Sequence, residues 1–410
     1  MARGKLAARG QARTRVPKAA VRKPSPRQPA ARDWVLPAAP GAPGVPGAPG
    51  ARRARPAAPR ILEVDLLAYE RGGRAQRKAV IEGVMSSLGT GFVYARHDVP
   101  TGIIDEAYGR LADFFHLPAE VKRRYVVPGS MGQAGYTGLL VETAAVNDKP
   151  DWKEMLNWGR ELPPGHPLRK RYPHRYMERR LPDDVVSGID RVLMVFFERI
   201  FDLQRRFLRI VAEGVGCAPG YFDGMLVDGP TLARAIRYPP MAAAPGKDYI
   251  WAGEHGDINL ITALPRATAR GLQVKVGDTW VDAVAREGCA IINSGLMLER
   301  ITNGRIPTGI HRVVAEPGQQ GERFSVVQFC HPTPWTLLQP LASCISPATP
   351  QRESGIMAGD WLDQVLYDIN LMEDARRVES PAARTAGTGY GEGSDRKQAA
   401  ARPASKASER

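Results

Sequence analysis

In "GEHGDINL", residues 253–260, a histidine and a carboxylate stand one residue apart, and "TGIHRVV" further on supplies a second histidine, His311. Residues i and i+2 of an extended strand share a face, so a strand here projects His255 and Asp257 together and turns Glu254 and Gly256 away. Two imidazoles and one carboxylate on one side of an octahedral Fe(II) leave the opposite positions open. An oxygenase needs that opening to hold a co-substrate and O2 side by side. A structural zinc would instead ask for four protein ligands, commonly thiolates. Cys217, Cys289, Cys330 and Cys344 lie away from these residues in sequence and form no CxxC pair. The same three residues also fit a plainer reading, as satisfied polar side chains on strands.

A second pair belongs beside them. "IHRVVAEPGQQGERFSVVQF" reads as a hairpin turning near Gln319, with position 313 opposite 325 and 315 opposite 323. Arg323 and Ser325 then share a face, about 13 Å of strand from His311. A guanidinium and a hydroxyl at that distance would grip the far carboxylate of a metal-chelated dicarboxylate through a charge-assisted bidentate pair. The plainer reading is a surface hairpin arginine.

The elements that must position these groups follow from periodicity. "RILEVDL" and "GFVYARH" are short strands, and Val80, Ile81, Val84, Met85 and Leu88 form a helical stripe that Gly89 ends. "TGIIDEAYGRLADFFHLP" and "PAEVKRRY" read as helices, the second opened by Pro118. Residues 128–182 are loop-rich. Residues 183–216 form one long helix starting at an Asp pair suited to N-capping. After residue 230 come "TLARAIRYPP", "INLITALP", "GLQVKV", "TWVDAV", "CAIINS", "IHRVVAEP" and "RFSVVQFC", short β-branched runs parted by turn residues. Such spacing is that of an antiparallel sandwich, jelly roll or barrel.

Charge is unevenly spread. Residues 1–60 carry fourteen Lys/Arg against one acid, and from residue 376 on there are eight basic and four acidic residues. With a net charge of +14 for the whole chain, the body between the tails is mildly acidic. A basic tail can touch polyanions without sequence preference, but the body offers no positive field for nucleic acid. The Ala/Pro/Gly/Arg-rich segment 1–60 reads as a disordered extension, its prolines forbidding the amphipathic helix of a transit peptide. No apolar run matches a signal or membrane segment, so a cytoplasmic, non-membrane protein is expected. The expected division is 1–60 extension, 61–182 N-terminal region, 183–229 long helical segment, 230–340 β core, 341–375 helical cover and 376–410 tail.

Taken in order, "IRYPP" (236–240), "EHGDINLITAL" (254–264), "GLQVKVGDTWVDAV" (271–284), "AIINSGLMLERITNGRIPTGIHRVV" (290–314) and "ERFSVVQF" (322–329) resemble the isopenicillin N synthase-like Fe(II)/2-oxoglutarate-dependent oxygenases. "ILEVDL", "GFVYARH", "GYTG" and "KPDWKEMLNWG" extend the resemblance over about 61–340. It implies a mixed α/β fold, mainly β in its core: a double-stranded β-helix (jelly roll) flanked by helices. It implies Fe(II) on His255, Asp257 and His311, and 2-oxoglutarate held at its distal carboxylate by Arg323 and Ser325 with the Tyr238 hydroxyl. It further implies that decarboxylation of 2-oxoglutarate with O2 is coupled to oxidation of a small molecule, with hydroxylation the default and secondary metabolism one setting.

The resemblance leaves alternatives. In isopenicillin N synthase itself the Arg-x-Ser pair holds the substrate's carboxylate and no oxo-acid is used. "GYTG" and "KPDWKEMLNWG" also resemble the bacterial ethylene-forming branch. A catalytically inactive binding module recruited through its basic tails is the third. Asn293 reads as a structural strand residue, and His97, His116, His166, His174 and His331 as surface or turn residues. Trp152 and Trp158 fit a lid or core anchors equally, while Met297, Leu298 and Ile301 fit a short helical turn packed on the barrel.

Overall fold

The computed structural model describes residues 60–130, 132–141, 150–246, 249–284 and 286–368. The extension 1–60 (save Arg60), the end of the cover and the tail 376–410 lie outside the described residues. From its N-terminal side the described chain runs β1 (Glu63–Asp65), α1 (Leu66–Arg71), α2 (Arg74–Leu88), β2 (Phe92–Arg96), α3 (Thr101–Phe115), α4 (Ala119–Arg123), β3 (Gly135–Thr137), β4 (Glu154–Gly159), α5 (Pro167–Arg171) and α6 (Ile189–Gly214). Next come α7 (Asp223–Leu226), β5 (Leu232–Tyr238), β6 (Ala252–His255), β7 (Ile261–Leu264), β8 (Leu272–Val276), β9 (Thr279–Asp282), β10 (Cys289–Ser294), α8 (Leu296–Ile301), β11 (His311–Val313), β12 (Arg323–Cys330) and α9 (Ala358–Asp368).

The strands form an eight-stranded sheet, β1-β2-β10-β7-β12-β5-β4-β3, and a four-stranded sheet, β6-β11-β8-β9. Alternation along β12 shows how the larger sheet divides labour. Val326 and Cys330 join the core packed by the helices, while Arg323, Ser325, Val327 and Phe329 line a cavity on the other side. That cavity is also lined by His255 from β6 and His311 from β11, so both sheets build it.

Helix α6 backs the larger sheet. Its buried face, including Phe196, Phe197, Ile200, Phe207 and Val211, repeats at helical spacing. Two buried glutamines fasten it to β12. Gln204 Nε2 donates to the Gln328 carbonyl at 2.6 Å, and Gln328 Nε2 donates to the Phe197 carbonyl at 3.2 Å. Trp158 on β4 donates its indole N–H to the Leu193 carbonyl at 3.2 Å, and Trp152 donates to that of Pro240 at 3.2 Å. Both indoles are buried, which makes them core anchors rather than a lid.

Three sequence expectations are corrected. Within 128–182, read as loop-rich, β3 and β4 extend the larger sheet; "EMLNWG" is buried from Glu154 to Trp158. The long helix begins at Ile189 rather than at the Asp pair, because Gly188 takes a left-handed φ of 77° just before it. Asp183 still serves that helix, accepting the Asp190 N–H at 3.1 Å from seven residues away. Finally, β11 and β12 are not a hairpin. The first pairs with β6 and β8, the second with β5 and β7, so the segment between them crosses from one sheet to the other.

Candidate metal centre and carboxylate clamp

His255 ends β6, and Asp257 lies two residues beyond the strand, just before a bend at residues 258–260. Gly256 between them lets Thr308 pack close: a Cβ there would sit 2.6 Å from Thr308 Cγ2. The backbone at Asp257 is held by the Leu296 N–H donating to the Asp257 carbonyl at 2.8 Å. His311 is the direct register partner of His255, and the two ring centroids are 4.3 Å apart. One ligand atom from each of His255, Asp257 and His311 falls within 4.8 Å of the others.

Hydrogen bonds fix how these groups can bind. His255 Nδ1 bonds the Gly253 carbonyl at 2.7 Å and His311 Nδ1 bonds the Gly309 carbonyl at 3.0 Å. Each carbonyl accepts, so Nδ1 carries the proton and Nε2 keeps its lone pair for a metal. Asp257 Oδ2 accepts from Thr262 Oγ1 at 2.5 Å and from Asn293 Nδ2 at 2.7 Å, leaving Oδ1 as the available donor. Asn259 Nδ2 in turn donates to Thr262 Oγ1 at 2.9 Å.

Electrostatics agree with a cation site. Burial works against the charge on Asp257, but the flanking His311 and His255, with the Thr262 and Asn293 hydrogen bonds, hold it below the usual carboxylate range. His255 opens onto the cavity; the protein around it and the adjacent His311 push its imidazole down to about 4. The set therefore offers two imidazole Nε2 atoms and a carboxylate oxygen, with open positions towards the cavity, which suits Fe(II).

Arg323 lies at the other end. It is 1 % exposed and directly opposite Tyr238 in the β5–β12 ladder, its guanidinium 5.0 Å from the phenol ring centroid. Nη1 donates to Ser325 Oγ at 3.0 Å and Nε to the Ala269 carbonyl at 3.2 Å. Among the described residues no carboxylate pairs with it, and burial alone works against its charge. A buried guanidinium so placed calls for an anionic ligand. The chemistry of both ends thus fits iron and a dicarboxylate co-substrate.

All six predicted site residues line this one cavity. Sequence reasoning missed Thr262 and took Asn293 as structural only, although it bonds the Asp257 carboxylate. Both are polar positions in otherwise apolar strands, the only signal available. It also misplaced His331, which is buried rather than a surface or turn residue. Lys153 and Arg234, singled out by nothing in the sequence, line the cavity too.

Comparisons with known proteins agree with this geometry. Residues 64–183 match the family described as non-haem dioxygenase in morphine synthesis N-terminal, and residues 230–332 match the 2OG-Fe(II) oxygenase superfamily. A Caulobacter crescentus structure described as a 2OG-Fe(II) oxygenase family protein is 30% identical, with a TM-score of 0.66 over 75% of this chain and 99% of that one. A full-length Neurospora crassa protein, solved in complex with alpha-KG, is 26% identical, with a TM-score of 0.65 over 75% of this chain and 96% of that one. Gibberellin 20 oxidase 2 of Oryza sativa subsp. indica is 28% identical over 262 residues, 64% of this chain and 63% of its own length. Jelly-roll core, cavity and relatives converge: the chain belongs to the 2OG-Fe(II) oxygenase superfamily and is a 2-oxoglutarate-dependent Fe(II) dioxygenase.

Proposed function

We propose that His255 and His311, through Nε2, and Asp257, through Oδ1, hold the iron, and that Arg323, Ser325 and Tyr238 bind the distal carboxylate of 2-oxoglutarate. The observation that carries this is the buried Arg323 with no carboxylate partner among the described residues, facing the same cavity as the three convergent ligands. Bound Fe(II) with 2-oxoglutarate and O2 supplies oxidative decarboxylation coupled to oxidation of a substrate C–H bond, hydroxylation being the expected outcome.

The chain's own residues provide order. Backbone carbonyls of Gly253 and Gly309 fix both imidazole tautomers, and Thr262 and Asn293 hold one oxygen of Asp257 so that the other is presented singly. Apolar walls from Phe92, Leu264, Ile291 and Val327 exclude water from the reacting face. The substrate is a small organic molecule. The intact ligand set and clamp favour turnover over an inactive binding module.

Anaerobic titration with Fe(II) or Co(II) tests the ligand assignment. The reading expects one metal per chain in the wild type and none in Asp257→Ala; full binding by the variant would contradict it.

A further inference from the structure

Arg323 and Ser325 sit where the larger sheet breaks its register. β7 pairs with β12 from Ile261↔Cys330 to Ala263↔Gln328, and the chain rejoins β12 at an isolated bridge, Ala267↔Ser325. From 328 to 325 β12 advances three residues, while from 263 to 267 its neighbour advances four. The extra residue is a bulge, and Pro265 within it has no N–H to give a ladder. Val326 of β12 falls opposite the gap.

A side chain from outside the sheet fills that gap. The Tyr108 hydroxyl, on α3, accepts the Val326 N–H at 2.9 Å and donates its proton to the Arg266 carbonyl. One hydroxyl can do both, and burial pushes the phenol up, so it keeps the proton it donates. Helix α3 holds the Arg266 side chain as well. Its Nη2 donates to Asp105 Oδ1 at 2.5 Å, and the guanidinium lies 5.2 Å from the Tyr108 ring centroid. Beyond Arg266 the same segment meets the clamp. The Thr268 N–H donates to the Phe324 carbonyl at 3.0 Å and Thr268 Oγ1 accepts the Phe324 N–H at 2.8 Å. The Ala269 carbonyl accepts from Arg323 Nε at 3.2 Å.

We propose that Tyr108 is a positioning residue for the carboxylate clamp, acting by fixing segment 266–269 against β12. This rests on the reading of Arg323 and Ser325 as the clamp for the distal carboxylate of 2-oxoglutarate. Tyr108 packs against the core on the helix side and is not among the described residues lining the cavity, so it acts through its neighbours. Without the hydroxyl, the Val326 N–H and the Arg266 carbonyl lose their shared partner at the bulge. The segment that supplies the Ala269 carbonyl is then free to shift, and the Arg323 fork with it. The loss falls on the distal-carboxylate end. His255, Asp257 and His311 are held by bonds from Gly253, Gly309, Thr262 and Asn293, all outside that segment.

The test compares two oxo-acids on the full chain loaded with Fe(II) without oxygen: 2-oxoglutarate, and 2-oxobutanoate, which has the same chelating end and no distal carboxylate. Dissociation constants are read from the metal-to-ligand charge-transfer band. The wild type is expected to prefer 2-oxoglutarate by about tenfold or more. Tyr108→Phe should cut that preference about fivefold or more, with 2-oxobutanoate and Co(II) binding unchanged. A general loosening of the fold would weaken both acids alike and leave the ratio as it was. A wild-type ratio in folded Tyr108→Phe, or a loss of Co(II) affinity alongside, overturns the proposal. Should Tyr108→Phe fail to fold, Thr268→Val, at an exposed position of the same segment, takes its place, an unchanged ratio again overturning the proposal. Arg323→Ala, run in parallel, reports on the clamp itself. No preference in the wild type, or one that survives Arg323→Ala, counts against the proposed function. A preference lost in Arg323→Ala and kept in Tyr108→Phe counts against Tyr108 alone.

Discussion

His255 and His311 face each other as direct register partners of β6 and β11, with ring centroids 4.3 Å apart. Imidazoles so close repel when protonated, and here both Nδ1 atoms are spent on backbone carbonyls. Neither ring gains from this proximity unless a cation sits between the two Nε2 atoms and the Asp257 carboxylate. We therefore expect His255→Ala to lose stoichiometric Fe(II) binding and turnover while the fold persists, as read by metal analysis and circular dichroism. An unchanged product yield would remove His255 from the ligand set.

Asn293 and Thr262 both donate to Asp257 Oδ2, and through it they would act on a metal held by the proposed ligand set. Without the Asn293 amide, Oδ2 loses one of its two donors and the carboxylate can rotate or chelate through both oxygens. Asn293→Ala should weaken Co(II) affinity by about ten- to a hundredfold, with Thr262→Val acting in the same direction. Affinity equal to wild type in both variants would show that the hydrogen bonds do not position the ligand.

Arg323→Ala removes a buried, charge-assisted contact. The concentration of 2-oxoglutarate needed for half-maximal turnover should rise by about ten- to a hundredfold or more. If only the primary substrate's affinity changed, Arg323 would instead hold that substrate, as in an oxo-acid-independent oxidase.

His331 gives a pH test on a residue outside the proposed ligand set. It is 8 % exposed with Nδ1 unpartnered, and burial, then the Arg175 charge, push its imidazole down to about 3. The unfolded chain takes up this proton near pH 6.5 and the folded chain does not. The folded state therefore loses stability as pH falls from about 6.5 towards 3. Urea midpoints should show wild type losing roughly 2 kcal/mol more than His331→Leu between pH 6.5 and 5. Parallel pH dependences would contradict this.

Where the chemistry depends on residue type, it was legible in the sequence. The His-x-Asp spacing, the distant histidine and the Arg-x-Ser pair all lie on one cavity, and the strand runs after residue 230 match β5 to β12. Pairing was less legible. The polar turn between Val313 and Arg323 looks like a hairpin locally, yet β11 and β12 belong to different sheets, because burial of two facing sheets outweighs a short local connection. His255 and Asp257 converge as their spacing suggests, although the strand itself stops at His255. Lys153 and Arg234 were invisible for a related reason. Which face of β4 and β5 meets the cavity is set by their neighbours in the sheet, and a lone basic residue in a strand carries no such signal.

The most direct test of the central claim is the visible spectrum of the Fe(II)-loaded protein on adding 2-oxoglutarate without oxygen, with His255→Ala as control. A weak metal-to-ligand charge-transfer band in the wild type and none in the variant is the predicted result. Iron bound by the wild type with no band on saturation with 2-oxoglutarate would contradict chelation of the oxo-acid at His255, Asp257 and His311.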